Sequence, residues 1–235
     1  MEKKWLVIGI LLVLGIVSVW QIGHMVGLSV KTQGAEELFS FNSDTYSDNE
    51  TFIFSDYDLK QDNEFGSVFA LNGSNFIRTK KINITEDDSF SVNIIAKTED
   101  STNKNSLGLI SSHSQNNETG FRLLYRNFDN KDRIYFEIGN VKDYAEIKKG
   151  SCLNKWCSYT LTYNADNGKV KVYLNGEKIK EFKSNNKISV NKNINIGKTI
   201  DINSEYFIGE IADAEVYKGV LSDGEIKKIY EYKLG

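Results

Sequence analysis

The feature that narrows the fold most is a period of two. Val170, Val172 and Leu174 alternate with Lys169, Lys171 and Tyr173, the signature of an antiparallel strand with one face buried and the other wet. The same alternation groups Phe90, Val92 and Ile94 on one face of "SFSVNIIA", with Ile95 opposite. It also groups Phe121, Leu123 and Tyr125; Ile134, Phe136 and Ile138, with Tyr135 and Glu137 on the reverse; and Tyr159, Leu161 and Tyr163. Asn175-Gly176 stands between two alternating runs, the preferred two-residue hairpin turn. Short strands recurring between turn signals predict an all-β sandwich. One helix is expected, at the C-terminal end of the chain. Ser222 caps it, Glu225 stands at the capping-box spacing, and Ile226, Ile229 and Tyr230 form a short apolar stripe. That stripe should pack on a sheet edge or a sandwich end.

At 235 residues the chain has room for one such domain and an appendage, and a folded unit near 200 residues buries roughly 70% of its unfolded surface. The net charge of −3 gives no basic surplus to steer the protein onto nucleic acid, so no nucleic-acid partner is expected. Proline is absent altogether, for which sandwich folding supplies no physical reason.

The appendage is N-terminal. Lys3 and Lys4 precede residues 5–30, which contain no Asp, Glu, Lys or Arg. About 20 apolar residues span a bilayer as a helix, and Trp5 and Trp20 suit its two interfaces. The expectation is a single-pass membrane anchor over residues 1–30, N-terminus inside, with a polar linker at 31–37 ("KTQGAEE") and the main domain at 38–235 outside. The alternative is a signal peptide cleaved after Ser29, which makes the domain secreted; His24 falls within this segment as an interfacial polar residue. Both readings place Cys152 and Cys157, the only two cysteines, in an oxidising compartment, where a disulfide between them is expected; two free thiols are the competing reading. Four N-x-[ST] sequons, at Asn49, Asn72, Asn83 and Asn117, are candidate glycosylation sites.

Four stretches, in order, carry a family resemblance. Gly66–Gly73 reads as a "G-x-A-L-x-F-x-G" type start. "KWCSYTLTYNADNGKVKVYLNGEKI" (155–179) runs from a tryptophan-led strand through "TYN" to "VYLNG". "INIGK" (194–198) supplies a late "IG". "YFIGEIADAEVYKGVLSDGEI" (206–226) combines "F-x-G-x-I" with a closing "L-S-D-x-E-I". From about Phe39 to Tyr232 the chain resembles the LamG-like jelly-roll domains of the concanavalin A-like lectin/glucanase superfamily. The resemblance implies two antiparallel sheets face to face, with a concave outer face where some members bind glycans. It does not imply catalysis, because fold alone does not set function. The expected role is non-catalytic recognition or adhesion at the cell surface, with a glycan or a surface protein as ligand. An anchored glucanase-type glycoside hydrolase and a structural envelope protein without a sugar ligand are the alternatives.

The hydrolase alternative rests on Glu210, Asp213 and Glu215. Retaining glucanases of this superfamily carry E-x-D-x-E or E-x-D-x-x-E, because side chains two apart share a strand face and the reaction needs two carboxyls roughly 5–5.5 Å apart. The spacing here is E-x-x-D-x-E. In a regular strand Glu210, Ala212, Ala214 and Val216 share one face and Ile211, Asp213, Glu215 and Tyr217 the other, which separates Glu210 from Asp213; only a bulge restores the register. The expectation is that Ala214 and Val216 fill the core while Asp213 and Glu215 face solvent. Asp213 is also the one candidate metal residue, for a structural calcium, a cation that takes six to eight oxygens; no other cofactor is expected. His113 reads as a solvated loop residue. Tyr135, Tyr144, Trp156 and Tyr173 are aromatic candidates for a sugar platform, with no site assigned among them.

Overall fold

The computed structural model describes residues 32–42, 52–54, 58–99, 106–112, 119–128, 131–199 and 205–235. Residues 5–30 with His24, and also His113, Asn49 and Asn117, lie outside them. Among the described residues no helix is long and apolar enough to cross a membrane. Thr32–Gly235 forms one compact unit.

Two antiparallel sheets face each other. Sheet A runs β13(Glu177–Lys183), β12(Lys169–Leu174), β11(Trp156–Tyr163), β6(Phe90–Thr98), β15(Ile208–Lys218), β4(Gly66–Asn72), β3(Asp58–Asp62), with β1(Glu36–Asn42) also paired to β15. Sheet B runs β10(Val141–Ile147), β9(Lys131–Ile138), β8(Phe121–Phe128), β7(Ser106–Ser111), β14(Val190–Ile196), β5(Ile77–Ile84), β2(Phe52–Phe54). Runs of consecutive strands (β11 to β13 in sheet A, β7 to β10 in sheet B) lie beside strands distant in sequence, as β6 lies beside β15. The polar segment expected at 31–37 is shorter than the sequence suggests, since β1 already begins at Glu36.

The alternating residues meet between the sheets. Phe90, Val92, Ile94 and Ala96 of β6, Tyr159, Leu161 and Tyr163 of β11, and Val170 and Val172 of β12 face Phe121, Leu123 and Tyr125 of β8 and Ile134, Phe136 and Ile138 of β9 in one buried core. Fully burying such a side chain contributes about 1.5–3 kcal/mol. Ile95 points the other way, into a small cluster with Val68 and Ala212 on the outer side of sheet A. Cys152 and Cys157, both buried, are joined by a disulfide. Asn175 and Gly176 have φ of 52° and 76°, both positive, as the two-residue hairpin requires.

The helix is α1(Asp223–Leu234), with the Ser222–Glu225 capping box formed in both directions. It does not sit at an edge or an end. Asp223 accepts from the Tyr173 hydroxyl of β12 at 2.7 Å, whereas Lys233 reaches Asp213 and Glu215 of β15. Twelve residues of helix span about 18 Å, enough to cross the roughly 14 Å from β12 over β11 and β6 to β15. The helix therefore lies across the outer face of sheet A. A Cβ on Gly176 would meet Lys227 Cα and Tyr230 Cβ at 3.2 Å each, so the hairpin turn is glycine both for its φ and for the helix above it.

Ala214 is wholly buried in the core. Ala214→Asp should therefore lower stability by several kcal/mol, the cost of an unpaired carboxylate between the sheets. Thermal unfolding checks this, and an unchanged melting temperature would show that the faces of β15 are assigned wrongly.

Candidate functional site

Strand β15 carries a bulge. Ile211 pairs with Ala96 of β6, and the next paired residue, Asp213, meets Ile95, so Ala212 is the extra residue. On the opposite side the neighbour of β15 changes at the same point, from β4 through Ile211 to β1 from Asp213. An extra residue reverses the parity of everything beyond it. Ile211, Ala214 and Val216 thus all enter the core, while Glu210, Asp213 and Glu215 all lie on the outer face. The expectation that Glu210 and Asp213 point apart is corrected by this bulge.

The expectation that Asp213 and Glu215 face solvent is also corrected. They are 5% and 3% exposed, because α1 covers them. Lys233 pairs with Asp213 and, at 2.6 Å, with Glu215. Beneath, the hydroxyls of Ser158 and Thr160 donate to the Asn93 Oδ1 at 2.9 and 2.8 Å, and the Asn93 amide donates to Glu215 at 3.2 Å. Burial pushes the Glu215 carboxyl up to about 7, against the Asn93 hydrogen bond, and the Glu37 carboxylate on β1 pushes the same way. Burial pulls the Lys233 ammonium down to about 8, with Glu37 opposing. Glu210 is held separately, by Lys97 and by Lys60 at 3.5 Å; Lys97 also binds Asp62 at 3.0 Å. An ammonium already answers Asp213, and among the described residues no three His, Cys, Asp or Glu side chains gather as a metal site.

The four aromatic candidates separate cleanly. Tyr173 is buried under α1 with its hydroxyl on Asp223. Trp156 is half-buried on sheet A, edge-on to Phe65 at 4.8 Å, with Lys97 4.7 Å above its ring and its indole N–H donating to Asp62 at 3.3 Å. Tyr135 and Tyr144 are directly opposed on β9 and β10, on the outer face of sheet B, and Tyr144 is 42% exposed.

Around this pair the registers assemble a polar surface that sequence reading did not assign. Arg126, Arg133 and Glu146 are opposed across β8, β9 and β10, as are Arg122, Glu137 and Lys142. The Arg126 guanidinium lies 4.3 Å from the Tyr135 ring centre and that of Arg133 lies 4.9 Å from the Tyr144 ring. Arg122 pairs with the buried Glu137 and, at 3.1 Å, with Glu205, which Arg126 also reaches at 3.4 Å. The Glu205 segment packs closely over β7, since a Cβ on Gly108 would lie 2.5 Å from the Glu205 carbonyl oxygen. Alternation in "FRLLYR" and "RIYFEIG" already put these arginines opposite the core; their meeting with β10 needed the register. Of the sequons, Asn72 and Asn83 are on exposed positions.

Residues 71–227 match the Laminin_G_3 family, described as the concanavalin A-like lectin/glucanases superfamily. No curated protein matches the chain. Among solved structures, domain 4 of AbnA, a GH43 extracellular arabinanase from Geobacillus stearothermophilus in complex with arabinotriose, is similar with a TM-score of 0.62 at 14% identity, over 84% of this chain and 100% of that one. The binding domain of Paraclostridial Mosquitocidal Protein 1 is similar at 0.65 and 16%, over 84% and 52%. The ligand binding domain of botulinum neurotoxin serotype D in complex with N-acetylneuraminic acid is similar at 0.62 and 20%, over 84% and 51%. The chain thus spans about half the length of these toxin binding domains, and the likeness is one of fold.

Removing Lys233 leaves two buried carboxylates without their ammonium, so Lys233→Met should cost about 3–5 kcal/mol. The loss should depend on pH. A carboxyl raised by burial from 4.5 to about 7 favours folding when protonated; that contribution is present below the unfolded value and is lost as pH rises through the folded one. The Lys233→Met protein should therefore melt higher at about pH 5 than at about pH 8. Equal melting temperatures at both would contradict the burial of Glu215 as a charged group.

Proposed function

The chain belongs to the Laminin_G_3 family of the concanavalin A-like lectin/glucanases superfamily, and on that premise we propose that it is a non-catalytic recognition module that binds glycans on the outer face of sheet B. One observation carries the reading. α1 lies across the outer face of sheet A from β12 to β15, while the outer face of sheet B presents Tyr135 and Tyr144 beside arginines. Aromatic rings flanked by hydrogen-bonding groups suit sugars, whose C–H faces stack and whose hydroxyls need polar partners. Support of a weaker kind comes from similarly folded domains solved with arabinotriose and with N-acetylneuraminic acid.

The proposal includes a location outside the cytoplasm, with residues 5–30 as the anchor. Its support is the absence of charge in that segment, the preceding Lys3 and Lys4, and the Cys152–Cys157 disulfide.

A glycan array probed with the full chain in mild detergent tests the reading. Binding should appear and should fall about tenfold or more in Tyr144→Ala, as loss of a stacked ring contributes roughly 1 kcal/mol beyond its area. Melting temperature should not move, because Tyr144 is exposed. An array without hits, or hits indifferent to Tyr144, would overturn it. The bulge keeps a second reading open to test, since it gathers three carboxylates on one face. Hydrolysis of β-glucan by the full chain, abolished in Glu210→Gln, would favour the hydrolase; no hydrolysis is the expected result, since all three carboxylates are paired with lysines.

A further inference from the structure

Resting on the glycan-binding reading, we propose that the ligand of this face is an acidic oligosaccharide whose carboxylate groups are taken by Arg126 and Arg133. The charge balance of one surface favours such a ligand. Among the described residues, three carboxylates lie on the outer side of β8, β9 and β10, and each is shared by two cations: Glu137 by Arg122 and Lys142, Glu205 by Arg122 and Arg126, and Glu146 by Lys131 and Arg133. Among these described residues five cations serve three carboxylates, a local surplus of two positive charges on a chain whose net charge is −3. A surplus of one sign on a sheet face favours a ligand of the other sign.

Arginine geometry selects the ligand's charged group. Arg126 and Arg133 contact their glutamates only through Nη2, at 3.4 Å in each case, a long, single contact rather than the two-pronged pairing that a guanidinium makes with a carboxylate at its best. Each guanidinium lies over a tyrosine ring, at 4.3 and 4.9 Å from its centre, which restricts where the fork can move before a ligand arrives. Their side chains remain 33% and 20% exposed. A uronic-acid-type sugar places a carboxylate beside a ring face with C–H groups, which matches an arginine beside a tyrosine.

The same pairing makes the experiment clean. When Arg126 is replaced, Glu205 keeps Arg122; when Arg133 is replaced, Glu146 keeps Lys131. Neither change strands a carboxylate, so Arg126→Gln/Arg133→Gln should melt near the parent temperature. The probes are oligogalacturonate, its methyl ester, a sulfated oligogalactan and neutral oligogalactan, titrated against the full chain in detergent by calorimetry. The expected result is binding of the oligogalacturonate above the other three. That binding should fall about tenfold or more in the double variant and partly in Arg126→Lys, which keeps the charge but loses the fork. It should be unchanged in Lys227→Gln, which removes the same charge from the opposite side of the molecule.

Neutral or esterified sugar bound as well as the acid, still dependent on Tyr144, would overturn the acidic assignment and leave the glycan reading standing. Preference for the sulfated probe would overturn the carboxylate assignment alone. Equal losses in the double variant and in Lys227→Gln would reduce the effect to overall charge and overturn the site. No binding of any of the four, together with an array free of hits, would overturn the glycan reading beneath it.

Discussion

The contact between Lys233 and the carboxylates of Asp213 and Glu215 ties the last turn of the C-terminal helix to the strand at the centre of sheet A. An ammonium and two carboxylates are expensive to remove from water, and they are tolerated here because each answers the other and Asn93 answers Glu215 from below. At its other end the helix is held by Asp223 on Lys171 and Tyr173, and between them Ile226 and Ile229 are buried. These contacts turn the part of the outer face of sheet A beneath the helix into an interior.

The bulge at Ala212 is the local device behind this. Without it Glu210 would fall on one side of the sheet and Asp213 on the other, and a carboxylate would enter the core. With it, Ile211, Ala214 and Val216 of "GEIADAEVY" face inward, and every carboxylate faces the helix or the neighbouring lysines. A row of carboxylates on one strand of a sugar-enzyme fold is thereby consistent with a structural role: Lys97 and Lys60 satisfy one and Lys233 the other two.

Sheet B makes the contrasting use of charge. Among its described residues the outer cations outnumber the carboxylates, two guanidiniums lie over tyrosine rings, and Tyr144 stays exposed. On sheet A Lys60, Lys97 and Lys233 are each shared between carboxylates, whereas over sheet B Glu137, Glu146 and Glu205 are each shared between cations. The fold accommodates both because alternation makes the outer residues of a strand free of the core's requirement for apolar volume.

Sequence alone determined the layers and their contents. A period of two is a direct consequence of strand geometry, so Phe90/Val92/Ile94, Phe121/Leu123/Tyr125 and Ile134/Phe136/Ile138 declared their core faces without any knowledge of partners, and Asn175-Gly176 and the Ser222–Glu225 box declared a turn and a helix start through backbone chemistry confined to a few residues. The disulfide followed from two cysteines close together. Tertiary structure decided what depends on neighbours. The bulge of β15 falls where β1 replaces β4 beside it; whether Asp213 and Glu215 are wet is set by a helix that begins eight residues after Glu215; and whether Tyr135 and Tyr144 lie side by side on an outer face while Tyr173 is covered is set by strand register and by which sheet the helix lies on. Register and coverage join residues distant in sequence, and a periodic pattern carries no information about which distant strand, or which helix, will lie against it.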